Sequence, residues 1–220
     1  MRSHAAVALK RVTPEAPDAL APLIENLSSD DALIREQALR ALETLGTNGA
    51  DALPALVDRL RDPVSEVRVV AMRCVRGIDQ SPDEIVLGVS GNLSDTNYSV
   101  LTEAIGTLGS LAEHSQPAFL ALLRAMDNSE KVGRPARFAL GNAARNNSTW
   151  LLASLENPDP AIRHRALLVL YEVGRPVPES VPKLVPLLRD EDARVRRSAA
   201  YMLWLQDQKA ASSLGVKSPW

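Results

Sequence analysis

The sequence predicts an all-helical protein built as an α-solenoid, and three observations predict it. First, a phrase recurs: residues 193–203 read ARVRRSAAYML and residues 160–170 read PAIRHRALLVL, each an aliphatic residue, an Arg, two loosely constrained positions, an Ala and an apolar run. Second, apolar residues recur at helical spacing throughout the chain. Third, only 4% of the 220 residues are aromatic, while Leu, Ala and Val abound. That balance favours helices, because Ala and straight-chain side chains lose little freedom there.

The repeats follow in order. Arg of the shared phrase falls at Arg35, Arg68, Arg163 and Arg196, with Arg134 in a related phrase. The separations are multiples of 33, except for 29 between Arg134 and Arg163. Leu101 stands midway in the longest gap, so a repeat lies there with its Arg replaced. Three residues after the Arg position come Ala38, Ala71, Ala104, Ala166 and Ala199. The preceding helix ends on Leu27, Leu60, Leu93, Met126, Leu155 and Leu188, with Leu23, Leu56, Val89, Leu122, Leu151 and Leu184 one turn earlier.

Within a unit, DALPALVDRL puts Leu53, Leu56, Val57 and Leu60 on one helical face, and DPVSEVRVVAMRCV restarts the stripe with Val67, Ala71, Met72 and Val75. Neither stripe can be buried alone, so pairs must stack on their neighbours. Six pairs span residues 18–207 and a tail covers 208–220. Arg2 and Ala5 keep the register, so residues 1–14 are expected to form a half repeat or cap. The whole of 1–220 is expected to be one domain.

At the seams, Asp62-Pro63 is expected to cap the second helix, with Pro at its first position. Asn157-Pro158 and Asp190 are equivalent. Arg of the phrase is expected to hydrogen-bond the seams between repeats. In repeat four, Pro135 is expected near the first turn of a late-starting helix, with the Ala position at either Arg137 or Ala136.

The pattern resembles HEAT repeats, in particular the short type also found in phycobilin lyase subunits. The resemblance rests on Asp62-Pro63 with Val67-Arg68 and Ala71, on Asn157-Pro158 with Ile162-Arg163 and Ala166, and on Asp190 with Val195-Arg196 and Ala199. It implies a right-handed solenoid whose second helices line a concave surface. Function is not implied, since the fold serves many binding scaffolds.

Counting from the Arg position, residues at +1, +5 and +8 should point outward. They read Glu36, Arg40, Glu43; then Val69, Arg73, Arg76; then Thr102, Gly106, Gly109. Repeat five gives His164, Leu168, Tyr171 and repeat six gives Arg197, Tyr201, Trp204. Three of the eight aromatic residues thus share one face beside an Arg, and Tyr, Trp and Arg dominate binding hot spots. His164, Leu168, Tyr171, Arg197, Tyr201 and Trp204 are therefore the expected partner-binding residues, for a protein or peptide. Trp204 could equally cap the last repeat beneath the tail.

Catalytic and metal chemistry finds no motif. His4, His114 and His164 are scattered, and HExxH, GxSxG, a P-loop and a dinucleotide fingerprint are all lacking. Cys74, the single cysteine, falls at a core-facing position and reads as a buried thiol. No cofactor, metal or enzymatic activity is expected. A net charge of −2 argues against nucleic-acid binding, although residues 1–110 carry −6 and residues 111–220 carry +4. The expectation is a cytoplasmic, non-catalytic scaffold, a monomer or a component of a larger complex. The alternative is an enzyme-associated subunit like those of phycobilin lyases.

Overall fold

The computed structural model describes residues 20–45, 51–76 and 83–217. Among them are thirteen α-helices and no strand. The expected half repeat over 1–14 lies outside the described residues. The chain divides into two compact units, Met1–Leu111 and Ala112–Trp220.

The first unit holds three helix pairs: α1 (Leu20–Asn26) with α2 (Ala32–Leu45), α3 (Leu53–Arg59) with α4 (Ser65–Arg76), and α5 (Asp83–Ser90) with α6 (Tyr98–Leu111). Each first helix packs on its own second helix, and the second helices pack in the order α2, α4, α6. The second unit repeats the plan with α7 (Gln116–Ala125) and α8 (Glu130–Asn146), α9 (Thr149–Ser154) and α10 (Pro160–Val173), then α11 (Val181–Leu187) and α12 (Ala193–Gln206). Its second helices follow the order α8, α10, α12, and a short α13 (Gln208–Ser213) packs on α12.

The core is made of the repeat positions. Ala38, Ala71, Ala104, Ala166 and Ala199 are all buried, as are Leu23, Leu56, Val89, Leu122, Leu151 and Leu184. Burial of each large aliphatic side chain is worth about 1.5–3 kcal/mol, and a lone helix pair would leave its stripe in water.

The seams are tied by a recurring set of hydrogen bonds. In five of the six repeats the seam residue accepts the N–H two positions on: Ser29 from Asp31, Asp62 from Val64, Asp95 from Asn97, Asn157 from Asp159 and Asp190 from Asp192. The residue two positions on then caps the helix in four of them, as Asp31, Asn97, Asp159 and Asp192 do. The expected cap at Asp62-Pro63 is thus corrected. Asp62 forms a turn ahead of α4, and Pro63 occupies the turn position that suits its fixed φ rather than the first helical position.

Arg at the sixth position after the seam closes the repeat. Arg35, Arg68, Arg163 and Arg196 each donate Nη1 back to the carbonyl of their own seam residue, at 2.6–2.8 Å. The first three also reach forward 27 residues to the Asp of the next seam. Arg35 forks onto Asp62 at 2.8 and 2.8 Å, Arg68 bonds Asp95 at 2.6 Å, and Arg163 forks onto Asp190 at 2.7 and 2.9 Å. The expected role of these Arg residues at the turns is what the structure displays.

Repeat four departs from the plan. Helix α8 begins at Glu130, with Pro135 inside it, so the expected late start is wrong. Val132, buried at 2% exposure, pins the early turn to the core. Gly133 lets that turn press against the Met126 carbonyl, where a Cβ would collide. Ala136 is fully buried and Arg137 is not, which settles the Ala position on Ala136.

Candidate partner-binding face

Every outward position named above is open to solvent in whole or in part. None of Glu36, Arg40, Glu43, Val69, Arg73, Arg76, Thr102, Gly106, Gly109, His164, Leu168, Tyr171, Arg197, Tyr201 or Trp204 is buried. With Ala136 in register, the same count in α8 gives Arg134, Phe138 and Gly141. Phe138 is 57% exposed, and the sequence reading missed it because the register of repeat four was open.

The two units present different chemistry on these helices. In the first unit the outward arginines are paired: Arg40 with Glu36 at 2.7 Å, and Arg73 and Arg76 both with Glu103. A small hollow of about 240 Å³ lies among Arg40, Glu66, Val69, Arg73 and Asn97.

In the second unit the face is aromatic. Tyr171 from α10 is 54% exposed and meets Tyr201 from α12, with ring centroids 6.0 Å apart and planes tilted by 40°. Tilted pairs at this spacing match the ring quadrupoles. Leu168, Tyr201, Trp204 and His164 are half-buried, and Arg197 is exposed. The structure therefore brings Tyr171 and Tyr201 into contact and leaves Trp204 partly open on α12, the helix that also carries α13. Helix α13 ends in a Schellman turn, with Gly215 at φ 74° and Val216 donating to the Ala211 carbonyl at 2.9 Å.

Beside the tyrosines, at the C-terminal ends of α10 and α12, lies a cleft of about 430 Å³. Leu170, Tyr171, Pro176, Met202 and Leu205 supply its apolar lining, and Glu172, Arg175 and Gln206 its polar groups. Its wall exists because α10 stops on Gly174 in the left-handed region at φ 70°. Two arginines hold that stop. Arg145 of α8 donates to the carbonyls of Val173 and Glu172, both at 2.8 Å, and Arg175 donates to the Arg145 carbonyl at 2.8 Å. In the sequence, only the Gly174-Arg175-Pro176 turn marks this cleft.

Burial pushes the His164 imidazole below its usual range, and the charge of Arg194 adds to this against the opposing carboxylates of Asp192 and Asp127. Cys74 is pushed up to about 12 by burial and donates Sγ–H to the Leu39 carbonyl at 3.2 Å, so it is not a nucleophile at neutral pH. Among the described residues no group of three His, Cys, Asp or Glu could hold a metal ion, and no helix is long and apolar enough to cross a membrane.

The HEAT-repeat profile matches residues 1–76 and 148–214, about two-thirds of the chain. The chain belongs to the HEAT-repeat family. No curated protein matches this HEAT-repeat chain in sequence. An archaeal HEAT-like repeats protein from Thermococcus onnurineus resembles it at 17% identity and a TM-score of 0.52, over 92% of each chain. An engineered protein resembles it at 20% identity and a TM-score of 0.51, over 86% of this chain and 98% of that one. The complex of CpcE and CpcF of phycocyanin lyase from Nostoc is similar at 23% identity and a TM-score of 0.49, over 87% of this chain and 76% of that one. The first two likenesses bear out the expected helical repeat fold.

Proposed function

We propose that this HEAT-repeat protein is a non-catalytic interaction module that holds a segment of a partner polypeptide on the second helices α10 and α12. The observation that carries this reading is the contact between the exposed Tyr171 and the half-buried Tyr201, on helices that also carry the partly open Trp204 and Arg197, which forms no ion pair among the described residues. Large, rigid side chains with a polar end bury much area while losing few rotors, which is why such residues dominate interfaces. The first unit, where Arg40, Arg73 and Arg76 are each paired with Glu36 or Glu103, has less to offer a partner.

His164 and Leu168 complete the face at its α10 end, and the cleft gives an apolar side chain of the partner a place to enter. An enzyme-associated role like that of lyase subunits would use the same groove for an acceptor protein. The buried Cys74 counts against covalent attachment of a chromophore to this chain.

The test compares wild type with a Tyr171→Ala/Tyr201→Ala/Trp204→Ala variant of equal helicity by circular dichroism. Polypeptides retained from extract of the native organism are purified and titrated against both. Loss of the three side chains should weaken binding by at least about 30-fold, the size of one hot spot. Equal affinity for both proteins would remove the reading.

A further inference from the structure

Resting on the peptide-binding reading above, we propose that the segment held on this face is acidic, a linear peptide carrying carboxylates beside apolar side chains. The outward stripes of the three second helices have the same spacing: Arg134 and Phe138 on α8, where the next position, Gly141, is buried against Glu172; His164, Leu168, Tyr171 on α10; and Arg197, Tyr201, Trp204 on α12. By position in the repeat, two rows are shared by the three helices. One is Arg134, His164, Arg197, and the other is Phe138, Leu168, Tyr201. Lys131 precedes Arg134 by about one turn.

The charge on this face is unbalanced. Neighbouring cations are already committed, Arg137 to Glu172 at 3.0 Å, Arg194 to Asp192 at 2.8 Å, Arg165 to Asp127 and Arg163 to Asp190. Among the described residues no carboxylate forms an ion pair with Lys131, Arg134 or Arg197, and Glu130, four residues before Arg134, makes none with it. A ligand of positive charge would face like charge here, whereas a carboxylate gains contacts the protein leaves open.

Nucleic acid is the weaker fit. It brings a phosphate at every nucleotide and is met by many free cations, while most guanidinium groups here are tied to seams or carboxylates. A peptide with a few acidic residues matches the three open cations and the apolar row together.

The probe is a random peptide library displayed on phage and panned on the full chain, with selected peptides then synthesised and titrated by fluorescence anisotropy. The expected pool is rich in Asp and Glu next to Leu, Phe or Tyr. Its members should bind about three- to tenfold more weakly to Arg134→Glu and to Arg197→Glu, lose affinity with added salt, and be rescued by Arg197→Lys. Peptides that bind through Tyr201, as judged by Tyr201→Ala, but are neutral or basic and indifferent to both charge reversals would overturn the acidic inference and leave the peptide-binding reading standing. A library that yields no binder would overturn both. Tighter binding of a labelled single-stranded oligonucleotide than of any selected peptide would overturn the inference in favour of nucleic acid.

Discussion

Removing the Asp62 carboxylate should show how much of the fold rests on the seams. Asp62 is 3% exposed and Arg35 6% exposed. The carboxylate accepts two bonds from Arg35 at 2.8 Å and one from the Val64 N–H at 3.0 Å, with Arg59 at 3.7 Å. Asp62→Ala leaves a buried guanidinium short of its partner and removes a turn acceptor. Breaking a buried pair from one side costs about 3–5 kcal/mol. The lower end applies because Arg35 Nη1 keeps the carbonyls of Ser29 and Asp30, at 2.8 and 3.1 Å. A loss of about 3 kcal/mol corresponds to a fall in Tm of roughly 6–12 °C for a chain of this size.

Urea unfolding of wild type, Asp62→Ala, Arg35→Ala and the double variant isolates the pair. The double variant should lose clearly less than the sum of the single losses, because the second removal no longer strands a partner. The exposed Arg40→Ala variant, which breaks only the Glu36 pair, should cost no more than about 1 kcal/mol. A loss from Asp62→Ala as small as that from Arg40→Ala, with additive single effects, would refute the seam argument.

Three further outcomes are expected. Gly133→Ala drives a Cβ into the Met126 carbonyl and should destabilise by about 1–3 kcal/mol, measured by urea unfolding against Gly91→Ala, where a Cβ meets nothing. Arg163 holds the Asp190 carboxyl below its usual range; at Asp62 burial is the largest effect and pushes upward, but the Arg35 bonds, the Val64 N–H and the charges of Arg35 and Arg59 together leave that carboxyl low as well. Their contribution is thus complete above the ordinary carboxylate value and is lost as pH falls through the lowered values, so the urea midpoint should drop below about pH 4 and drop less in Asp62→Asn. Cys74 should react with a thiol reagent only as fast as the protein opens, its rate rising with urea and matching exposed thiol on full unfolding.

Much of the fold was legible because its signal is periodic. The Ala and Leu positions recur with the repeat, and burial follows them. The Arg position was legible in role as well, since an Arg six residues after an Asp or Asn can reach only the turns nearby. The cap positions were not. Seam residues such as Asp190 and Asp192 are both able to cap, and only the backbone decides that the first makes the turn and the second caps the helix.

Repeat four escaped for a different reason. Pro135 disfavours a helix interior locally, but the buried Val132 and the close approach at Gly133 outweigh that preference. The face of the candidate site was readable as far as helical spacing carries, through Tyr171, Tyr201, Trp204 and Arg197. Phe138 needed the register that Ala136 fixes. The cleft needed contacts far apart in sequence, Arg145 on the end of α10 and Arg175 on the end of α8, for which periodicity holds no trace.

Amide hydrogen exchange of the full chain, with and without a bound partner peptide, tests the central claim most directly. Binding on the proposed face should slow exchange in α10 and α12, chiefly over residues 164–173 and 197–206, and leave α4 and α6 unchanged. Protection confined to the first helices α9 and α11, or to the outward residues of α2 and α4, would contradict it.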